Sequence, residues 1–338
     1  MNAVKKIHSL KKRYDAVRAS YSKTVVTSHP YGVFNVELTN KCPMRCVMCP
    51  RTYDMTREQG TMTFDIFSKV INELVADNPK WGQDNKVWLH HFGESLLHPE
   101  VGKFIKYAIS LNIKASLSVN PLMLSDKLAE ELLRAETSLL YMSLDGHDDR
   151  SFGEIRGLAG AYKQSHDNLL AFLHLKRTMD SATRVVVSMV DFHLNESSID
   201  KLRAYWTSIE GVDDFLIKPF ETLDGSIEAI NLLQRNKEQK SYLNIVSCNR
   251  PWETVTVMWD GRVVPCCYDY NGKYVLGDVR TSRLSDIWNG ERMQALRREF
   301  ISQQVSNPLC RNCANLRTVE ASFPNLMAMA LHKLTYGK

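Results

Sequence analysis

Asn40-Lys-Cys42-Pro-Met-Arg-Cys46-Val-Met-Cys49-Pro-Arg51 sets three cysteines in the spacing C-x3-C-x2-C, and no further cysteine follows until Cys248. A zinc site assembled locally wants a fourth donor close by in the sequence. A [4Fe-4S] cluster has four irons to ligate. Three thiolates therefore leave one iron open to a cofactor or substrate. A zinc site or three structural thiols are the alternatives.

The motif resembles the cluster-binding loop of the radical S-adenosylmethionine (SAM) superfamily. That resemblance implies an open iron chelated by the amino and carboxylate groups of SAM, and reductive cleavage to a 5'-deoxyadenosyl radical, chemistry that a cofactor must carry. The other five cysteines all lie in the last third. Cys248, twelve residues, Gly261, four residues, Cys266, then Cys310-Arg-Asn-Cys313 resemble the start of the SPASM auxiliary-cluster region. No cysteine follows Cys313, so the resemblance is to the shortened, single-cluster twitch form of the aminocyclitol dehydrogenases of antibiotic biosynthesis. It implies Cys248, Cys266, Cys310 and Cys313 as ligands of a second [4Fe-4S] cluster; structural zinc is the alternative. Cys267 is left over. It is either a small packed residue or a thiol that donates a hydrogen atom to a substrate radical, as an epimerase requires, and it competes with Cys266 as ligand.

Around the motif, strand-like runs at Val33–Leu38, Val87–His91, Ala115–Val119, Leu139–Leu144, Arg184–Val190 and Phe215–Lys218 alternate with helical patterns. Those patterns span Phe64–Ala76, Val101–Leu111, Asp126–Ala135, Tyr162–Met179 and Ser197–Ile209. Thr63, Pro99 and Ser125 read as helix starts. This is an α/β chain with a parallel sheet. The resemblance implies a partial (β/α)6 TIM-like barrel over residues 31–223, followed by a small twitch/SPASM-like domain over 224–338 with a hairpin near Gly272–Asp278 and a helix near Met293–Phe300. The boundary is set where strand character stops, at Asp224–Gln239. Residues 1–30 form a basic extension, read as a solvated helix or a segment touching an acidic partner or anionic lipid.

Chemistry in such folds gathers at the carboxyl ends of the strands. Gly93 and Glu94 follow the second strand and resemble the Gly-Gly-Glu motif that holds the SAM amino group, with Phe92 in place of the first glycine. Asn120 follows the third strand, with Pro121 where the family often has glycine. Ser143 and Asp145 end the fourth, where polar side chains usually meet SAM. Arg156 suits a carboxylate, and Met48 stands where the family has an aromatic beside the adenine. His90 and His91 adjoin the motif as a base, a substrate contact, or core residues.

With 43 Lys and Arg against 38 acidic residues, the charge excess does not argue for nucleic acid. No run has the roughly 18 apolar residues of a membrane span, and the thiols suit the cytoplasm. The expected activity is hydrogen-atom abstraction from a small polar metabolite (sugar, aminocyclitol or nucleoside type), with oxidation of a secondary alcohol and a flavodoxin- or ferredoxin-type electron donor. Epimerisation, dehydration, decarboxylation and modification of a ribosomal peptide are the other enzymatic readings. An iron–sulfur electron carrier is the non-enzymatic one.

Overall fold

The computed structural model describes residues 23–191, 199–234, 246, 248–313 and 316. Most of the basic N-terminal segment, Ser197 at the expected start of the fifth helix, and residues 235–245 near the expected boundary lie outside the described residues.

Strand β1 (Gly32–Val36) leads through the cysteine loop to α1 (Phe64–Asp77), then β2 (Val87–Trp88), α2 (Val101–Ser110), β3 (Ala115–Val119), α3 (Asp126–Arg134) and β4 (Leu139–Ser143). Helices α4 (Asp149–Arg156) and α5 (Tyr162–Thr178), β5 (Arg184–Val190), α6 (Ile199–Ser208) and β6 (Asp214–Lys218) complete the repeat. Thr63 and Ser125 cap α1 and α3, accepting from the amides of Ile66 and Leu128. Phe67, Val70, Ile71 and Leu74 form the buried stripe of α1; each such side chain contributes about 1.5–3 kcal/mol by leaving water. Helix α4 breaks the expected alternation. A capping box between Asp148 and Ser151 starts it, and Gly157 ends it at φ 70°.

The strands are ordered β6-β5-β4-β3-β2-β1, all parallel. The sheet continues past β1. Strand β7 (Thr254–Val257) pairs parallel with β1 from Gly32↔Thr254 to Val36↔Val257, with an irregularity between Val33 and Asn35. Strands β8 (Arg262–Val264) and β9 (Gly277–Asp278) then add antiparallel, and α7 (Leu284–Trp288) and α8 (Glu291–Ile301) follow. An unpaired β1 edge would leave a row of amides and carbonyls open; β7 covers it. The polar stretch where the sequence places a boundary thus precedes a strand that rejoins the same sheet.

Strand β2 is shorter than expected because side chains take over its ladder. Beyond Leu89, the His90 carbonyl accepts from Asn35 Nδ2 and the His90 ring Nδ1 accepts from the Ser118 amide. Along β4, Leu140 and Met142 are buried while Tyr141 and Ser143 are half-buried, which orients the latter pair to the open inner face. Among the described residues no helix is long and apolar enough to cross a membrane.

Candidate active site

Asn40, fully buried, shapes the cysteine loop by donating to the Glu58 carbonyl and accepting from the Gly60 amide. Arg51 donates to the carbonyls of Asn40 and Cys42, and Thr52 Oγ1 to that of Cys46, 2.8 Å away. The far side is held by α4: the Arg45 and Val47 amides donate to the Arg156 and Ile155 carbonyls at 3.2 and 2.9 Å. Gly157 must be glycine for this docking, since a Cβ would overlap the Arg45 carbonyl.

The thiols so gathered are ill at ease alone. Burial, then Glu94 and Cys46, push Cys42 up to about 11, and burial, then Cys46 and Cys42, push Cys49 up to about 12. A cationic iron–sulfur core removes that penalty, so the donor set fits a cluster. Among the described residues no three His, Cys, Asp or Glu side chains converge closely enough for a single ion. Thiolates on one zinc all sit about 2.3 Å from it, a tighter grouping than cluster corners need.

Gly93 lies against the start of the loop, where a Cβ would overlap the Thr39 carbonyl oxygen. Gly93→Ala is therefore expected to cost roughly 1–3 kcal/mol and to displace the loop; a lowered melting temperature with reduced iron uptake after anaerobic reconstitution checks it. Next to it, Glu94 Oε1 accepts from the Leu96 amide at 3.1 Å and Oε2 from the Asn120 amide at 2.8 Å. Burial nevertheless outweighs those two amides and Arg156, raising this carboxyl to about 7. A carboxylate so placed calls for a cation, as the ammonium of SAM would be. Asn120 Oδ1 caps the turn Pro121–Met123, with Pro121 at the first helical position where proline suits. That leaves Asn120 Nδ2 buried and without a partner, like Arg156 Nε. Two unused donors beside Glu94 suit an oxygen-bearing ligand.

Arg156 is not free to fork a carboxylate with its terminal nitrogens. One pairs with Asp145 and the other lies 3.7 Å from Cys46 Sγ. Burial disfavours its charge, yet Asp145 and Cys46 hold its pKa above the ordinary value. Ser143 Oγ is 3.1 Å from Ser118 Oγ. Met48 lines a cavity of about 340 Å³ with Val190, Lys218, Phe220 and Leu223.

The auxiliary cysteines converge although Cys248 and Cys310 are 62 positions apart. Cys248, Cys266, Cys267, Cys310 and Cys313 line one cavity of about 760 Å³, together with Phe34 and Trp88 of β1 and β2. Burial and the other thiols raise Cys310 and Cys248, so this set also fits a cluster. Asn307 holds the C-x2-C turn by accepting from the Cys310 amide through side chain and backbone. The Tyr268 amide donates to Cys266 Sγ at 3.4 Å. Cys266 and Cys267 share a hydrogen bond that pushes the first thiol up and the second down.

One element has no local signature in the sequence. Glu37, fully buried at the end of β1, accepts a two-pronged pair from Arg57 at 2.6 and 2.8 Å and the amides of Phe92 and Trp259. Burial opposes its charge, but His91 and Arg57 hold it well below the usual carboxylate range. His91 bridges onward, its Nε2 lying 2.8 Å from the Cys267 carbonyl. Phe92, the departure from the family glycine, packs edge-on against Tyr270 at 5.8 Å. These contacts join the end of β1 to the segment carrying the auxiliary cysteines.

The radical SAM superfamily model matches residues 36–205, half of the chain, and an iron–sulfur cluster-binding SPASM domain matches 248–314. The chain belongs to the radical SAM superfamily. As a radical SAM enzyme it binds SAM, a [4Fe-4S] cluster and auxiliary iron–sulfur. Among curated relatives, the tungsten-containing aldehyde ferredoxin oxidoreductase cofactor-modifying protein of Pyrococcus furiosus is 25% identical, over 82% of this chain and 86% of that one. The S-adenosyl-L-methionine-dependent 2-deoxy-scyllo-inosamine dehydrogenase of Niallia circulans is 20% identical, over 85% and 94%. Two solved structures share the fold. BtrN in complex with AdoMet and 2-DOIA has TM-score 0.56 at 16% identity, covering 86% of this chain and 95% of that one. Streptococcus suis SuiB bound to precursor peptide SuiA has TM-score 0.62 at 11%, covering 94% and 81%.

Proposed function

We propose that this radical SAM enzyme takes a hydrogen atom from a carbinol carbon of a small polar metabolite, of aminocyclitol, sugar or nucleoside type, and oxidises that secondary alcohol to a ketone. Cys42, Cys46 and Cys49 hold the first cluster; Cys248, Cys266, Cys310 and Cys313 hold the auxiliary one. When bound, these groups supply one-electron cleavage of SAM to a 5'-deoxyadenosyl radical, an oxidant no side chain provides. Glu94 receives the SAM ammonium, Asn120 Nδ2 and Arg156 Nε donate to its oxygens, and Gly93 lets the strand-end loop come close. Ser143 meets its polar part and Met48 packs on its flat ring. Residues 31–223 carry that half of the chemistry and 224–338 the electron-accepting half. A flavodoxin- or ferredoxin-type donor in the cytoplasm supplies the electron.

The observation that carries the reading is the contact between the inner face of the sheet and the auxiliary cavity. Ser118 of β3 pairs with Tyr141 of β4, the Tyr141 ring is 4.9 Å from that of Trp88, and Trp88 lines the auxiliary cavity. An alcohol held at the Ser118 hydroxyl sits across one aromatic pair from an electron acceptor, which supports net oxidation. The name of the Niallia circulans relative supports an aminocyclitol.

Anaerobic incubation with SAM, dithionite and 2-deoxy-scyllo-inosamine deuterated at its carbinol carbons tests this. The expected result is deuterium in 5'-deoxyadenosine and a ketone product. In heavy water with unlabelled probe, an oxidised product gains no carbon-bound deuterium, and Cys267→Ala leaves product unchanged while costing about 1 kcal/mol of stability. Solvent deuterium in the product, with an inactive Cys267→Ala protein that keeps both clusters, would make Cys267 a hydrogen donor and the enzyme an epimerase.

A further inference from the structure

Lys218, the last residue of β6, carries its ammonium into the barrel. Its Nζ is 3.4 Å from Ser118 Oγ and 4.8 Å above the Tyr141 ring. Ser118 Oγ is in turn 3.1 Å from Ser143 Oγ, so amine and two hydroxyls make one polar corner at the carboxyl ends of β3, β4 and β6. A lysine has three hydrogens to donate, and among the described residues this one has a single long hydrogen bond and no ion-pair partner.

The charged groups around it are already engaged. Asp145, beyond β4, is bound to Arg156 and accepts from the Val190 amide at 2.6 Å. Arg156, from α4, repels a second cation. His90, beyond β2, uses Nδ1 to accept from the Ser118 amide, which leaves its ring proton on Nε2; burial first, then Lys218 and His91, push it down to about 3, so it stays neutral. Glu221, in the loop that follows β6, accepts from the Tyr268 hydroxyl.

A half-buried amine with a hydroxyl for its neighbour, and with the nearby Asp145 carboxylate already bound to Arg156, is poised to lose its proton. Burial dominates, Asp145 opposes it and Arg156 adds to it, and Lys218 is lowered to about 8. It lines the same cavity as Met48 of the cysteine loop, but its one hydrogen bond goes to Ser118 and none to that loop or to Glu94.

We propose that Lys218 is the proton acceptor of the reaction, taking the hydroxyl proton of the substrate alcohol as its carbon is oxidised; this rests on the alcohol-oxidation reading above. The C–H bond breaks homolytically, its hydrogen atom leaving with the 5'-deoxyadenosyl group. The O–H bond then breaks with its proton passing to the neutral Nζ, the C=O bond forms, and the one remaining electron leaves to the auxiliary iron–sulfur cluster, which is reduced. Loss of the proton makes the carbon radical a much stronger reductant, so the base belongs between abstraction and electron departure. Ser118, within reach of Lys218 Nζ, holds the same hydroxyl and selects an alcohol over an apolar carbon.

Two measurements on the reconstituted holoenzyme decide it. The first is competitive acylation with acetic anhydride across pH, each lysine read by mass spectrometry. Lys218 is expected to have its midpoint near 8, against about 10.4 for exposed lysines; a midpoint with the exposed group overturns the proposal. The second compares wild type, Lys218→Met and Lys218→Arg on carbinol-deuterated 2-deoxy-scyllo-inosamine. Both variants are expected to keep passing deuterium into 5'-deoxyadenosine while ketone falls about 10²-fold, the usual worth of a general base. Arginine preserves the charge but cannot accept a proton, so it should fare no better than methionine. Ketone at the wild-type rate overturns the proposal, as does loss of SAM cleavage itself, which would put Lys218 in the SAM site. If wild type transfers no deuterium from this probe, the alcohol reading fails and the proposal falls with it, a result distinct from transfer that persists with ketone unaffected in the variants.

Discussion

Cys42→Ala is expected to abolish SAM cleavage altogether and to lower iron from about eight to about four atoms per chain, with sulfide falling in parallel. The loop offers three thiols, and three is the least that holds a four-iron core with one iron open to SAM. Removing one leaves two, with no other cysteine before Cys248. The four irons that remain should belong to the auxiliary set, which shares no ligand with the loop. The converse variant, Cys310→Ala with Cys313→Ala, should lose the other four irons. If it folds, it should still cleave SAM but form no ketone, because abstraction precedes electron departure. Full product from a soluble double variant that lacks the second cluster would remove the electron-accepting role. Retention of about eight irons by Cys42→Ala would remove the ligand assignment.

Much of this was legible in the sequence because its signals are local. The run Arg184–Val190 carries four valines and Met189 and forms β5 over those same residues. Thr63 and Ser125 each stand directly before the helix they cap. The cysteine spacings are fixed by turns, so the thiols they contribute could be counted before any fold was known. What stayed hidden depends on partners far along the chain. The pairing of β7 with β1 joins residues more than 200 positions apart, and nothing in Thr254–Val257 names its neighbour. Arg57 meets Glu37 across the whole cysteine loop, and His91 meets Cys267, 176 positions further along the chain. Arg156 reads as a carboxylate clamp from its place near a strand end, but Asp145 and Cys46 take up both terminal nitrogens. Lys218 was the missed residue with a usable signal: a lysine closing an apolar strand in a βα repeat stands where such folds put their chemistry.

Arg57→Ala is expected to destabilise the folded protein by about 3–5 kcal/mol, the cost of leaving one member of a buried ion pair alone, read by anaerobic chemical denaturation. The full figure applies because the two side chains are 2% and 0% exposed, so solvent does not screen the loss. Arg57→Lys should recover part of it, keeping the charge but not the two-pronged geometry. Replacing Glu37 and Arg57 together by leucine and methionine should not restore full stability, as it does for some buried pairs. Glu37 also serves the amides of Phe92 and Trp259, and each orphaned amide costs about 1–3 kcal/mol. The pH dependence has a definite sign. The folded-state pKa of Glu37 lies below its ordinary 4.5, so the carboxylate contributes its full stability above that value and loses it as pH falls through the folded pKa. The gap between wild type and Glu37→Gln should therefore be constant near neutrality and close progressively below about pH 4.5. A gap that stays constant into strong acid would mean that Glu37 titrates alike in the folded and unfolded chain and so gains nothing from Arg57, and the join between the end of β1 and the auxiliary segment would then rest on Phe92, Tyr270 and the β1–β7 ladder instead.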